Sequence, residues 1–80
     1  MRLPRDISGF ELSKRLEKLG YILTRQVGSH MRLSTERNGT HHITIPAHIP
    51  LKIGTLNAIL REISEHHALS RPQLLSELFG

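Results

Sequence analysis

Phe10, Leu12, Leu16 and Leu19 recur at helical spacing, and Lys14, Arg15, Glu17 and Lys18 fill the opposite side. Ser8-Gly9-Phe10-Glu11 reads as a capping box in which Ser8 is the N-cap and Glu11 reaches back to its amide, with Ile7 as hydrophobic staple. Gly20 is a good terminator. The pattern predicts a helix over 8–19.

The period then changes from 3.6 to 2. Tyr21 to Gln26 is rich in strand formers, and Val27-Gly28-Ser29 can turn. Which side of this first strand faces inward is ambiguous, because Tyr21/Leu23 and Ile22/Thr24 compete. From His30 to Thr35 the alternation is clean, with Met31, Leu33 and Thr35 on one side and His30, Arg32 and Ser34 on the other. Glu36-Arg37-Asn38-Gly39 ends in Asn-Gly, a short hairpin signal. A third strand over His41 to Ile45 puts Ile43 and Ile45 on one side and His42 and Thr44 on the other.

Pro46 and Pro50 bound a loop. A second helix follows from about Gly54 or Thr55 to His66, with Leu56, Ile59, Leu60 and Ile63 as its apolar stripe. Ser70-Arg71-Pro72-Gln73 opens a short last helix, with Ser70 as cap and Pro72 in its first turn. Leu74, Leu75, Leu78 and Phe79 are expected to close the core edge. The predicted fold is α+β, in the order α-β-β-β-α with a short extra C-terminal helix. The helices lie on one face of a three-stranded antiparallel sheet, and the other face stays open.

Composition narrows the function classes. Eighty residues make one expected domain, 1–80, with a thin core. The absence of cysteine excludes a disulfide scaffold, a thiolate zinc site, an iron–sulfur cluster and a cysteine nucleophile. No apolar run is long enough to span a membrane. The stretch Met1-Arg2-Leu3-Pro4-Arg5-Asp6 lacks the apolar segment of a signal peptide, so the expected compartment is the cytoplasm.

Charge points to a partner. Lys and Arg number 11 against 7 for Asp and Glu, a net charge of +4. The imbalance is local, because residues 24–53 hold Arg25, Arg32, Arg37 and Lys52 against Glu36 alone. Four of the six His lie there too, and residues 54–80 run the other way, with Arg61 and Arg71 against Glu62, Glu65 and Glu77. Such a stretch reads as an anion-binding face, with solubilising charge as the plainer explanation.

His30 follows Gly28-Ser29 on the predicted open face, and Arg32 points the same way. Imidazole titrates near neutral pH, and a guanidinium steadies phosphate charge, so the two suit RNA cleavage. A plain surface histidine fits the same pattern. His42 shares that face as a second proton carrier or phosphate contact. His48, between the prolines, is expected to donate to a carbonyl of its own loop. His41-His42 and His66-His67 are adjacent pairs whose rings diverge, so neither chelates one metal through both rings. No HxxxH or HExxH spacing occurs.

Two blocks resemble the HicA toxin family of toxin–antitoxin systems. The first is Gly20-Tyr21 followed by Gly28-Ser29-His30. The second is Ile45-Pro46-Ala47-His48, then Leu51-Lys52-Ile53-Gly54-Thr55-Leu56 and Ile59-Leu60. The resemblance implies a fold similar to the double-stranded-RNA-binding domain. It implies a ribosome-independent mRNA endoribonuclease with His30 as the catalytic residue, and a HicB-type antitoxin that neutralises it. His41-His42 and Glu65-His66-His67-Ala68-Leu69 lie outside the motif and leave the C-terminal docking surface open.

The leading expectation is thus a metal-independent RNA endonuclease with no cofactor, with mRNA and an antitoxin as partners. His30 carries the proton, and Gly28, Ser29, Arg32, His42 and Lys52 contact RNA or support the transition state. The alternative is a non-catalytic RNA-binding module of the same fold, and the third reading is a protein-interaction domain.

Overall fold

Ser8 starts the first helix as expected. Its hydroxyl accepts from the Glu11 amide at 3.0 Å, but the Glu11 carboxylate turns the other way, to within 3.8 Å of Arg15. Only one arm of the capping box forms. A computed structural model describes residues 6–80, so the reading of Met1–Arg5 as lacking a leader lies outside the described residues. Helix α1 spans Gly9–Arg15 and tightens into a 3₁₀ turn over Leu16–Leu19. Gly20 ends it at φ +84°, where glycine is at home. Leu12, Leu16 and Leu19 are buried, whereas Phe10 is 49% exposed and does not join the stripe. Its position is one residue from the buried row, on the far side of the turn.

Three strands follow: β1 (Ile22–Val27), β2 (His30–Thr35) and β3 (His41–Pro46). They form an antiparallel sheet in the order β1-β2-β3. Met31, Leu33, Ile43 and Ile45 point into the core, and their alternating partners His30, Arg32, His42 and Thr44 are exposed. Gly28 at φ +58° sits first in the two-residue turn that joins β1 to β2, the geometry of a type II′ hairpin. The β2–β3 connection is longer, residues 36–40, with Asn38 and Gly39 both at positive φ.

Helix α2 (Ile53–His67) and helix α3 (Arg71–Phe79) complete the chain. Ser70 and Gln73 form a full capping box at the start of α3. Leu56, Ile59, Leu60 and Ile63 are buried against the sheet, with Leu74, Leu75 and Leu78 behind them. Each fully buried Leu or Ile contributes roughly 1.5–3 kcal/mol relative to exposure. The result is the expected α+β arrangement of helix, three antiparallel strands and two helices, in the order of the double-stranded-RNA-binding fold. Strand β1 differs from the other two, since all six of its residues are exposed. The core lies under β2 and β3 only. The competition in β1 resolves with Tyr21 fully buried just before the strand, Ile22 and Thr24 on the open face, and Leu23 on the inner side but half exposed.

Beside the core lies a polar cluster built from the histidines outside the motif. The Tyr21 hydroxyl is 2.7 Å from His41 Nδ1 and 3.0 Å from His67 Nε2. Asn38 Nδ2 reaches His67 Nδ1 at 3.1 Å. His66 stacks on His41 with ring centroids 4.5 Å apart, and its Nε2–H is shared by the Arg37 and Gly39 carbonyls. With Asn38 donating, a consistent assignment is neutral throughout: Asn38 donates to His67, His67 to Tyr21, and Tyr21 to His41. The cluster ties the end of α2 to the β2–β3 loop.

Candidate nucleic-acid interface

His30 owes its position to backbone on three sides. Val27 pairs with it across the turn, and Pro46 pairs with it from β3. The Ala47 amide donates to the Ser29 carbonyl at 2.6 Å, which pins the end of β3 beside the turn. Gly9 then packs against Pro46: a Cβ on Gly9 would run into the Pro46 carbonyl, and the Gly9 amide donates to the His48 carbonyl at 3.1 Å. The rigid frame holds an exposed imidazole on the open face. Gly28 has open space around it, so its positive φ is what a side chain there would strain.

Arg32 lies two residues along β2 from His30 on the same face, roughly 7 Å away along the strand. Arg25 lies directly opposite Arg32. Strict alternation from the buried Tyr21 would turn Arg25 inward. The ladder instead slips between Leu23 and Arg25, so that Thr24 and Arg25 together face the stretch opposite Leu33–Arg32. This bulge puts both of their side chains on the open face, where Thr24 Oγ1 donates to the Arg32 carbonyl at 3.2 Å. The sequence reading missed Arg25 as a site residue, because a single inserted residue flips the side of everything beyond it and leaves little trace in the pattern.

His42 is on the open face but far from His30. It pairs with Ser34, and its Nδ1 lies 2.5 Å from Ser34 Oγ. His30 pairs with Pro46, four residues away along β3, or roughly 13 Å. The register thus sets His30 and His42 at opposite ends of the open face. Lys52 is exposed at the N-cap of α2, off the strand face. His48 is also exposed; it contributes its backbone carbonyl to Gly9, and no ring hydrogen bond is found for it among the described residues. That corrects its expected role as a ring donor.

An open basin of about 740 Å³ lies on this face. Its lining includes Ile22, Thr24, Arg25, Arg32, Ser34 and His42. His30 stands just beyond its end. Among the described residues, neither Arg25 nor Arg32 has a carboxylate partner, since the ion pairs are Arg15–Glu11 and His41–Glu62. Glu36 lines the basin but accepts from Thr40 at 2.6 Å. Arg37 lines it as well and is committed to the Lys18 carbonyl at 2.8 Å.

Among the described residues no group of three His, Asp or Glu is arranged to hold a metal ion. No helix among them is long and apolar enough to cross a membrane. Burial lowers the affinity of His41 and His67 for protons, and the neighbouring His66 lowers both further. Burial, aided by the negative charge of Glu62, pushes the Tyr21 hydroxyl up to about 12. These shifted groups belong to the polar cluster and not to the open face.

A family model described as HicA toxin of bacterial toxin–antitoxin matches residues 9–64, well over half of the chain. No curated protein and no solved structure matches significantly.

Proposed function

Since the chain belongs to the HicA toxin family of bacterial toxin–antitoxin systems, we propose that it is an mRNA endoribonuclease in which His30 moves the proton. The observation that carries this reading is the setting of His30. It is exposed on a rigid frame, at the end of a face that presents two guanidiniums without carboxylate partners.

His30 accepts the proton of a ribose 2′-hydroxyl, whose oxygen attacks the adjacent phosphorus. The bond from phosphorus to the 5′-oxygen breaks, leaving a 2′,3′-cyclic phosphate. The departing 5′-oxygen takes a proton from water, which reaches the site freely. Arg32 offsets the charge that builds on the phosphoryl oxygens. Gly28 and Ser29 set the turn, and Lys52 adds a peripheral cationic contact. The protein acts on RNA in the cytoplasm, without metal or ribosome, and a HicB-type antitoxin silences it.

Labelled RNA incubated with the purified chain is expected to yield fragments ending in 2′,3′-cyclic phosphate and 5′-hydroxyl. The His30→Ala variant is expected to yield none. RNA that is bound and shifted but stays intact would favour the non-catalytic binding module instead.

A further inference from the structure

The open sheet face carries a group of residues around Arg32 that, Arg32 apart, cleavage at His30 does not use. The bulge at Thr24 sets Arg25 across from Arg32. Like charges directly opposite each other in a sheet are unfavourable, and no carboxylate of the described residues relieves this pair. Two planar donor forks facing one another form an anion clamp, and a phosphate oxygen pair matches their geometry better than a single carboxylate does. Farther from His30, the hydroxyls of Thr24 and Ser34 and the ring of His42 follow. Ile22, 63% exposed, supplies an apolar wall.

We propose that this basin is a nucleotide subsite: Arg25, together with the Arg32 that also steadies the scissile phosphate, clamps the phosphate next to it, and Ser34 with His42 takes up the ribose hydroxyl of that nucleotide. The inference rests on the reading of the chain as an RNA endonuclease, and it adds where the neighbouring nucleotide lies. The basin contains no Phe, Tyr or Trp ring on which a base could stack, and its one imidazole, His42, is held by Ser34. Recognition there runs through phosphate and sugar, so the subsite is indifferent to the base. The bulge has a function on this view, since without it Arg25 would face the helices and the clamp would have one jaw.

The test uses the full chain carrying His30→Ala, titrated with adenosine 3′,5′-bisphosphate and with uridine 3′,5′-bisphosphate. Binding is followed by the nitrogen-15 shifts of the Arg25 and Arg32 Nε–H groups and of the Thr24 and Ser34 amides. Saturable shifts at these groups are expected for both compounds, with closely similar affinity. Arg25→Gln and Arg32→Gln should each weaken binding by roughly fivefold to tenfold, and Arg61→Gln on α2 should leave it unchanged. Shifts that are absent from the basin, or an unaltered affinity in Arg25→Gln, would overturn the subsite. So would an Arg25→Gln variant that binds the bisphosphates normally and loses only its antitoxin, because the clamp would then serve acidic side chains of a protein. RNA cleavage by the unsubstituted chain, measured in parallel, separates the two ideas. Intact RNA together with a working clamp defeats the endonuclease and keeps the anion site. Cleavage without basin binding does the reverse.

Discussion

The hydroxyl of Tyr21 lies 3.0 Å from Nε2 of His67, a residue 46 positions later, and 2.7 Å from Nδ1 of His41. One buried oxygen thereby joins the start of the sheet to the end of α2. Because the network is satisfied with every ring neutral, it makes the fold sensitive to acid.

Stability is expected to fall on acidification. His41 and His67 are held below the usual histidine value, first by burial and then by the charge that His66 carries when protonated, with Arg37 and His42 adding smaller opposition and Glu62 acting the other way on His41. The unfolded chain therefore binds protons first. The contribution of the neutral rings is complete above the unfolded value of about 6.5 and is lost as the pH drops through it toward the lower folded values. Thermal unfolding followed from pH 7.5 to 5 should show a falling Tm. A His41→Gln, His67→Gln double variant should show a flatter profile, and a parallel profile would remove the cluster as the cause.

Tyr21→Phe keeps the ring and removes the bridge. Two imidazole nitrogens lose their partner in a buried place, which costs about 1–3 kcal/mol. Urea unfolding measures it, and RNA cleavage per folded molecule should be unchanged, because the cluster faces away from His30.

His30→Ala should abolish cleavage and leave stability within about 0.5 kcal/mol of the parent, since an exposed strand side chain contributes little packing. A variant that unfolds at markedly lower denaturant would mean that His30 is structural.

Gly9→Ala tests the frame under His30. The added methyl meets the Pro46 carbonyl, a backbone atom that cannot swing aside. Overpacking of this kind costs about 1–3 kcal/mol. As Pro46 pairs with His30, cleavage by the folded variant should fall as well. Full activity at 20 °C, with unchanged Tm, would show that the loop yields without moving the strand.

Cleavage is expected to persist in EDTA, and the antitoxin is expected to cover His30. An acidic partner would be drawn to the cationic face and would exclude RNA from it. In the complex, His30 should resist diethylpyrocarbonate while the free chain reacts. A stable, inactive complex with His30 still reactive would place the antitoxin elsewhere.

Local chemistry made much of this legible from residues alone. Ser8 and Ser70 are caps because a hydroxyl near free amides is the cheapest partner for them. Met31, Leu33, Ile43 and Ile45 declare the inner face because strand side chains alternate without exception over a regular ladder. The position of His30 on the open face follows from the same rule, as does that of Arg32.

What only the tertiary structure decided concerns relations across the sheet and across the chain. The side of Arg25 depends on a ladder slip at Thr24, and a slip is set by how β1 fits β2, not by the composition of β1. The distance between His30 and His42 depends on the β2–β3 register, which places Pro46 and not His42 beside His30. His41, His66 and His67 read as unrelated surface pairs until folding brings three elements around Tyr21. A side chain's face is a local property of the backbone, so sequence determines it. Which charges and rings become neighbours is a property of pairing between distant segments, and only the folded chain sets it.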